Sequence, residues 1–186
     1  MTVIPGGIEI EGDCTLGLPV RKGSWPLYTY GFITAGHCLD DSEVMNQPNK
    51  RSPKIGNKTD SRYTNDCDCA WSAKATVTTS KSAIWRSPNN YLTIYNEAAD
   101  LPAKGDMVVL SGKTSGFKMG QIVDGNFKMR AGGVDWDLTS HNIKTGGGDS
   151  GAPMGMPMRH ILSESTRAKS PKKTGVSIMW QRHGKT

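Results

Sequence analysis

A serine in an unusual setting lies near the end of this chain of 186 residues. Ser150 stands in the segment Thr145–Pro153, where four glycines and one aspartate surround it. Glycine lets the backbone turn sharply and approach another group closely, as two amide N–H groups must do to converge on a developing oxyanion. An ordinary hairpin turn has a similar composition, and Ser150 would then be a turn hydroxyl. The loop alone leaves both interpretations open.

A histidine and a choice of two aspartates could complete the chemistry of a serine nucleophile. His37 follows the apolar run 28–33 and is therefore predicted at the end of a strand. A serine hydroxyl needs a neutral imidazole as general base, and a third group must fix the tautomer of the ring. Asp66 and Asp68 are both candidates, because residues two apart in a strand point to the same face. Either carboxylate could reach His37 from such a strand.

Two segments together resemble the signature blocks of chymotrypsin-like serine peptidases. They are Phe32–Cys38, which reads FITAGHC, and Gly148–Pro153, which reads GDSGAP. The chain looks most similar to the small bacterial branch of streptogrisins and alpha-lytic protease, from about residue 4 to residue 153. Further support comes from four short segments: Ile4–Gly7, Cys14–Leu18, Asp68–Trp71 and Ser111–Gly116.

The resemblance implies a catalytic triad. Ser150 would be the nucleophile, His37 the general base and Asp68 the carboxylate that orients the base. Their chain order, His then Asp then Ser, is the chymotrypsin order. Asp68 is preferred over Asp66 because only Asp68 begins the family pattern of aspartate, any residue, alanine and tryptophan. No metal or other cofactor is expected in this mechanism.

The resemblance also implies an oxyanion hole and the place of the substrate pocket. The backbone N–H groups of Gly148 and Ser150 would bind the oxyanion, and Asp149 would hold the loop in shape.

Pocket residues are harder to assign. Lys144 lies six residues before Ser150, near the expected pocket base, although a solvated loop charge is the favoured interpretation of this residue. On the predicted strand Gly175–Trp180, Ser177 or Ile178 would contact the substrate backbone. The other histidines, His141, His160 and His183, are expected on the surface, in loops.

The segments that must position these residues have the pattern of short strands. Brief apolar or alternating runs recur between Gly, Pro, Asn and Asp, which favours an all-β barrel or sandwich. A polar segment at 96–105 is the best candidate for a linker. The family implies two packed six-stranded antiparallel β-barrels, here residues 1–98 with His37 and Asp68, and residues 99–186 with Ser150. The second barrel is expected to be incomplete at the C-terminus, because only six residues follow Trp180.

Four cysteines lie close to the predicted site. The resemblance implies a disulfide between Cys14 and Cys38, which would stabilise the fold by about 3 kcal/mol. Cys67 and Cys69 flank Asp68, and in a strand their Cα atoms would be about 7 Å apart, so a direct bridge would need strained geometry. A Cys3His zinc set of Cys38, Cys67, Cys69 and His37 is a competing hypothesis, but the Cys-x-Cys spacing disfavours it. The sequence provides no account of Cys67 and Cys69.

Composition narrows the functional class only slightly. The formal net charge is +6, and the basic stretch 159–173 contains five Lys or Arg and a single acid. No aromatic residues interleave with these charges, so binding of nucleic acid or another polyanion is not expected. The longest apolar run, Met107–Leu110, is far below the roughly 18 residues of a membrane span.

The leading hypothesis is a secreted, monomeric serine endopeptidase that acts on polypeptides through an acyl-enzyme on Ser150. Secretion is inferred from the family resemblance, since no signal peptide can be read at the N-terminus. The alternative is an impaired or truncated barrel module that binds peptide or polyanion. An intact triad favours the enzyme, whereas a pocket that does not close would favour the binding module.

Overall fold

Within the described residues, the regular secondary structure is almost entirely β-strand. The computed structural model describes residues 2–39, 43–64, 67–75, 78–94, 96–97, 102–131, 134–156 and 175–176. The strands of the N-terminal half are β1 (Thr2–Gly6), β2 (Glu9–Ile10), β3 (Cys14–Thr15), β4 (Pro19–Lys22), β5 (Thr29–Thr34), β6 (Val44–Asn46), β7 (Lys54–Thr64), β8 (Cys67–Lys74), β9 (Thr78–Ser87), β10 (Asn90–Thr93) and β11 (Asn96–Glu97). The remaining strands are β12 (Met107–Gly112), β13 (Gly116–Ala131), β14 (Val134–His141), β15 (Met154–Gly155) and β16 (Gly175–Val176). A single-turn 3-10 helix, Gly36–Cys38, follows β5.

The largest sheet has five strands in the order β4-β5-β8-β7-β6, with all neighbours antiparallel. A second sheet joins β1, β9 and β10, and a short hairpin joins β2 and β3. The sheet that follows has the order β14-β13-β12-β15, and β11 pairs with β16.

Two hydrophobic clusters lie under these sheets, one in each half of the described chain. The first includes Phe32, Leu16 and Ile10, each fully buried. The second includes Val108, Leu110 and Ile122. Alternation along the strands produces these clusters, because every second side chain of a strand points to the same face. In β8, for example, buried and half-buried residues alternate from Cys67 to Ala73.

The predicted all-β fold is confirmed, with differences in detail. The described strands form five hydrogen-bonded sheets, whereas the family resemblance implied two six-stranded barrels. Two of the strand pairs, β1 with β9 and β11 with β16, are parallel, which the expectation of an antiparallel fold did not include. The predicted pocket strand Gly175–Trp180 lies outside the described residues after Val176. The boundary near residue 98 stays a prediction.

Within the described residues, no helix combines the length and the apolar character that crossing a membrane requires.

Candidate active site

His37 is positioned by the end of β5. The strand buries Phe32 and Thr34, and the chain then passes through Ala35 in an extended conformation into the 3-10 helix. Two backbone hydrogen bonds close this helix, from Cys38 N–H to Ala35 O at 3.1 Å and from the N–H of residue 39 to the carbonyl of residue 36 at 3.0 Å. The His37 side chain is 30% exposed. The strand end therefore presents an imidazole that is partly accessible to solvent.

Asp68 meets this imidazole from the neighbouring strand. In the β5–β8 register Thr34 lies opposite Ala70, so Asp68, two residues away on the same face, projects beyond the end of β5 to the level of the 3-10 helix. The carboxylate is buried, and Oδ2 lies 2.6 Å from His37 Nδ1 while Oδ1 accepts the backbone N–H of His37 at 3.0 Å. Two contacts to one residue fix both the ring and its backbone. The opposite nitrogen, Nε2, consequently points away from Asp68.

A glycine makes this close approach possible. A Cβ atom on Gly36 would lie 2.4 Å from Arg62 O, 3.0 Å from Asp68 Oδ1 and 3.1 Å from Cys69 N. The first distance is shorter than real Cβ contacts, so only glycine fits here without a shift of the backbone. The 3-10 helix is therefore seated directly on the ends of β7 and β8.

Thr15 holds the Ser150 loop beside the end of β5 through two hydrogen bonds. The Thr15 hydroxyl donates to Gly148 O at 2.7 Å, and the Thr15 N–H donates to Ser150 O at 2.8 Å. Cys38 Sγ lies 3.8 Å from Ser150 O. At Gly151, φ is +83° and a Cβ would lie only 2.3 Å from Thr34 Oγ1. The loop thus packs against residues 34–38, the segment that carries His37.

In the serine loop, two backbone carbonyls accept hydrogen bonds, and the N–H groups of the same two peptide units point in the opposite direction. Gly147 O accepts the Thr114 hydroxyl at 2.5 Å, and Asp149 O accepts the N–H of Ala152 at 2.9 Å. In a trans peptide the N–H points opposite to the C=O. The N–H groups of Gly148 and Ser150 are therefore directed away from these partners, and no hydrogen bond from the described part of the chain engages either of them.

Asp149 organises the loop from inside. This buried carboxylate accepts the N–H groups of Thr114 and Ser115 at 2.9 and 3.0 Å, the N–H of Gly146 at 2.9 Å and the Ser115 hydroxyl at 2.5 Å. Burial raises the pKa of Asp149, but these hydrogen bonds to the ionised form outweigh burial, so its pKa lies below the ordinary value. Because a Cβ at Gly112 would lie 2.3 Å from Asp149 Oδ1, the neighbouring hairpin also needs a glycine.

Of the other predicted site residues, the structure describes only Lys144. Lys144 is exposed, and its carbonyl oxygen lies 3.3 Å from the Ser115 hydroxyl, whose single proton is donated to Asp149. Asp66, Ser177 and Ile178 lie outside the described residues.

His141 corrects an expectation. It was predicted in a surface loop, but it is the last residue of β14, is half-buried, and accepts the Ile143 N–H on Nδ1 at 3.2 Å. Residues 134–141 have the alternating pattern of a strand, with apolar side chains at Val134, Trp136 and Leu138, and His141 ends that strand. His160 and His183 lie outside the described residues.

Sequence reasoning missed the residues that hold the serine loop in place: Thr15, Thr114 and Ser115. All three lie in segments that carry the family resemblance, Cys14–Leu18 and Ser111–Gly116, but their hydroxyl and amide contacts were not anticipated. Hydroxyl residues beside glycines are common turn formers, so the pattern does not reveal a partner more than thirty residues away in the chain, as at Gly147 and Thr114.

The cysteines form two disulfides. The predicted bond between Cys14 and Cys38 is present, with the Cα atoms 6.0 Å apart. Cys67 and Cys69 are also bonded to each other, contrary to the expectation. Their Cα atoms are 5.4 Å apart and not about 7 Å, because the backbone between them is less than fully extended.

These bonds overturn the alternative of a Cys3His zinc set, because the thiolates that it requires are oxidised. Sulfur and nitrogen atoms of Cys14, Cys38 and His37 do lie within 4.8 Å of one another, but the two sulfurs are bonded to each other.

No protein-family model matches the chain. Among solved structures, Thermobifida fusca Protease A is 28% identical with a TM-score of 0.67, over 82% of this chain and 77% of that one. An alpha-lytic protease homolog, N4, is 23% identical with a TM-score of 0.69, over 83% and 80% of the two chains. A glutamic acid specific serine protease, described as using a histidine triad in substrate binding, is 19% identical with a TM-score of 0.71, over 95% and 92%. The latter two similarities show a common fold.

Proposed function

We propose that this chain, a chymotrypsin-like serine peptidase similar to the bacterial alpha-lytic branch, cleaves peptide bonds within polypeptides through an acyl-enzyme on Ser150. One observation carries the proposal. His37 Nδ1 lies 2.6 Å from a buried carboxylate of Asp68, and the Ser150 loop packs against the segment that bears His37. A histidine oriented in this way beside a serine is the arrangement that general-base activation of a hydroxyl needs.

Proton transfer in the proposed reaction begins at His37. Asp68 holds Nδ1 as the N–H donor, which leaves the lone pair on Nε2 to accept the proton of the Ser150 hydroxyl. The serine oxygen then attacks the carbonyl carbon of the scissile peptide. Asp68 stabilises the imidazolium that results. Return of the proton from Nε2 to the amine of the leaving group completes acylation, and water repeats the same steps to release the acid.

The amides of Gly148 and Ser150 supply the proposed oxyanion hole. Their N–H groups have no partner within the described residues and belong to one short loop. Donors held in place before the reaction stabilise a developing oxyanion without reorganisation, which commonly contributes a factor of about 100 to 1,000 in kcat per donor. Asp149 takes no proton in this scheme, because its oxygens are occupied by the loop and the neighbouring hairpin.

The substrate and the compartment belong to the same proposal. A polypeptide substrate follows from the reaction class, and Lys144, Ser177 and Ile178 remain the predicted pocket residues. Two disulfide bonds are typical of proteins that fold in an oxidising compartment, which supports secretion.

Labelling with a fluorophosphonate, read by intact mass, tests the proposed site. The wild type should take up one adduct per chain, whereas Ser150→Ala and His37→Ala should take up none or react far more slowly. Ser24→Ala is the matched control, because Ser24 is exposed in the β4–β5 turn and should leave labelling unchanged. An adduct that persists in folded Ser150→Ala would contradict the assignment.

Hydrolysis of an unfolded protein substrate then separates a peptidase from an esterase. Both would react with the fluorophosphonate, since the acyl-transfer step is the same. Release of peptides by the wild type but not by Ser150→Ala is the expected result. Cleavage of small esters without any cleavage of protein would overturn the peptidase proposal, whereas the proposed roles of His37, Asp68 and Ser150 would stand.

A further inference from the structure

The disulfide between Cys67 and Cys69 has no part in the mechanism above, yet it encloses the proposed catalytic aspartate. Asp68 is the single residue between the two cysteines. Along β8 the side chain of Asp68 is buried, whereas both cysteines are half-buried on the opposite face. The bridge therefore lies behind the aspartate and acts on it through the backbone.

The surroundings of this segment show why the backbone needs to be held there. On one side, β7 pairs with the whole segment, with Arg62 opposite Cys69 and Thr64 opposite Cys67. On the other side, the pairing of β5 with β8 stops at Thr34 and Ala70. Within the described residues, 67–69 thus form the end of a strand that has a neighbouring strand along only one edge.

Along the edge of residues 67–69 that does not pair with β5 lies the 3-10 helix with His37. The position of a Cβ on Gly36 would be 3.1 Å from Cys69 N and 3.0 Å from Asp68 Oδ1. The backbone at Cys69 is therefore in close contact with the helix whose N–H and imidazole Asp68 binds. A displacement of Cys69 would move the carboxylate relative to His37.

A contribution to overall stability does not explain the bridge well. In the loop-entropy model, closing a loop of three residues stabilises the folded state by only about 1.5 kcal/mol, against about 3.5 kcal/mol for a loop of 25 residues. The Cys14–Cys38 bond closes a loop of the longer kind, since those cysteines are 24 positions apart. The Cys67–Cys69 bond is mainly a local constraint on the peptide groups that flank Asp68.

We propose that the Cys67–Cys69 disulfide is a positioning element that holds Asp68 against His37, and that its reduction by a thiol lowers the hydrolytic activity reversibly. The inference rests on the proposed function. Cys67 and Cys69 act through Asp68 and touch neither the substrate nor the reacting atoms.

The redox step is an ordinary thiol–disulfide exchange. A thiolate of the reductant attacks one sulfur of the bridge and forms a mixed disulfide, and a second thiol displaces the protein sulfur. Two electrons and two protons end on the thiols of Cys67 and Cys69, and the reductant leaves as its own disulfide. Cys14 and Cys38 are 4% and 8% exposed, so the half-buried pair is the one that a thiol reaches first.

Titration of the wild-type protein with dithiothreitol tests the inference. Alkylation and peptide mass identify the conditions in which only Cys67 and Cys69 are reduced. Under these conditions kcat should fall about 10- to 100-fold, as expected when a catalytic group is displaced by a fraction of an ångström to 1 Å, while KM changes little. Reoxidation should restore kcat. Unchanged kcat with both thiols alkylated would overturn the inference.

The double variant Cys67→Ser/Cys69→Ser separates the bridge from other effects of the reductant. It should show the low kcat of the reduced wild type without any reductant, and addition of dithiothreitol at the same concentration should cause no further loss. Circular dichroism at rising temperature should show that it remains folded. A folded variant with wild-type kcat would contradict the inference as surely as an insensitive wild type.

A spectroscopic measurement tests the positioning independently of hydrolysis. The Nδ1–H proton of His37, bonded to Asp68, should give a low-field NMR signal in the oxidised protein, and reduction should shift or broaden it. If this change occurs in a protein that cleaves nothing, the proposed function fails and the positioning role stands. If the signal and kcat are both unaffected by reduction, the positioning role fails and the proposed function stands.

Discussion

At the scale of single residues, the serine loop depends on an interior carboxylate as well as on its glycines. Asp149 accepts hydrogen bonds from both sides, from Gly146 within the loop and from Thr114 and Ser115 on the neighbouring hairpin. An ionised acid is a stronger acceptor than a neutral amide. The geometry of the proposed oxyanion hole is therefore linked to the charge of one buried residue.

This linkage predicts a pH-dependent effect of Asp149→Asn. Because the folded-state pKa of Asp149 is lowered, its stabilising contribution is fully present above the pKa of the unfolded state and is lost as the pH falls through the folded-state pKa. The variant should lose about 1.5 to 3 kcal/mol at pH 7, the usual value of a hydrogen bond to a charged group. Denaturant unfolding at pH 7 and in acid measures the difference between the two proteins.

The difference in unfolding free energy should shrink in acid, because the wild-type carboxyl is then protonated as well. Asp124→Asn, on an exposed part of β13, is the control and should show little difference at either pH. A loss at Asp149 that is the same at pH 7 and in acid would contradict the role of its charge.

At the scale of elements, the site is formed where the 3-10 helix packs against the ends of β7 and β8. The helix has a single turn and carries no side-chain cap at Ala35. Its position is held by contacts to Asp68 and by the close approach of Gly36 to β7 and β8. Packing against the sheet therefore decides where His37 lies, since one turn of helix is not stable by itself.

Gly36→Ala should displace this helix. The added Cβ would meet Arg62 O at 2.4 Å, and relieving that overlap requires a backbone shift that typically costs about 1 to 3 kcal/mol. We expect a lower melting temperature together with at least a tenfold slower fluorophosphonate labelling. Gly125→Ala on β13 is the matched control, because its Cβ would be 3.5 Å from the nearest atom.

The two readouts separate stability from position. Slow labelling at a temperature far below the melting transition would show that His37 has moved. Wild-type rates and a wild-type melting temperature for Gly36→Ala would mean that the 3-10 helix tolerates a side chain, contrary to the packing described above.

At the scale of the whole molecule, Thr15 connects parts of the chain that are far apart in sequence. Its hydroxyl accepts the N–H of Lys113 at 2.9 Å and donates to Gly148 O, so one buried side chain from β3 joins the β12–β13 turn to the serine loop. The disulfide from Cys14 next to it ties the same strand to the 3-10 helix. The serine loop and the 3-10 helix that carries His37 are therefore both attached to β3.

Removal of this disulfide should destabilise the whole fold. Cys14→Ser/Cys38→Ser should lower the free energy of unfolding by about 3.5 kcal/mol, because it frees a long loop in the unfolded chain. The Cys67→Ser/Cys69→Ser variant is the comparison and should lose about 1.5 kcal/mol or less. Urea unfolding of both variants measures the ratio, and equal losses would contradict the loop-size argument.

The sequence by itself determined the secondary-structure class and most of the residues in the proposed chemistry. Alternation predicted the all-β fold, and the same alternation appears in β8, where Asp68 is buried between the half-buried Cys67 and Cys69. The motifs around His37 and Ser150 carried the resemblance that solved structures support. Local patterns suffice here because each depends on neighbouring residues, and the period of a strand is set by the backbone.

Only the tertiary structure decided which residues from distant segments meet. Thr15 with Gly148, Thr114 with Gly147 and Gly36 with the ends of β7 and β8 are contacts between different strands and turns. Nothing in a local pattern encodes such pairings, because they follow from strand register and from the approach of packed elements. The bond between Cys67 and Cys69 was missed for a related reason: an ideal strand sets their Cα atoms about 7 Å apart, whereas the folded backbone brings them to 5.4 Å.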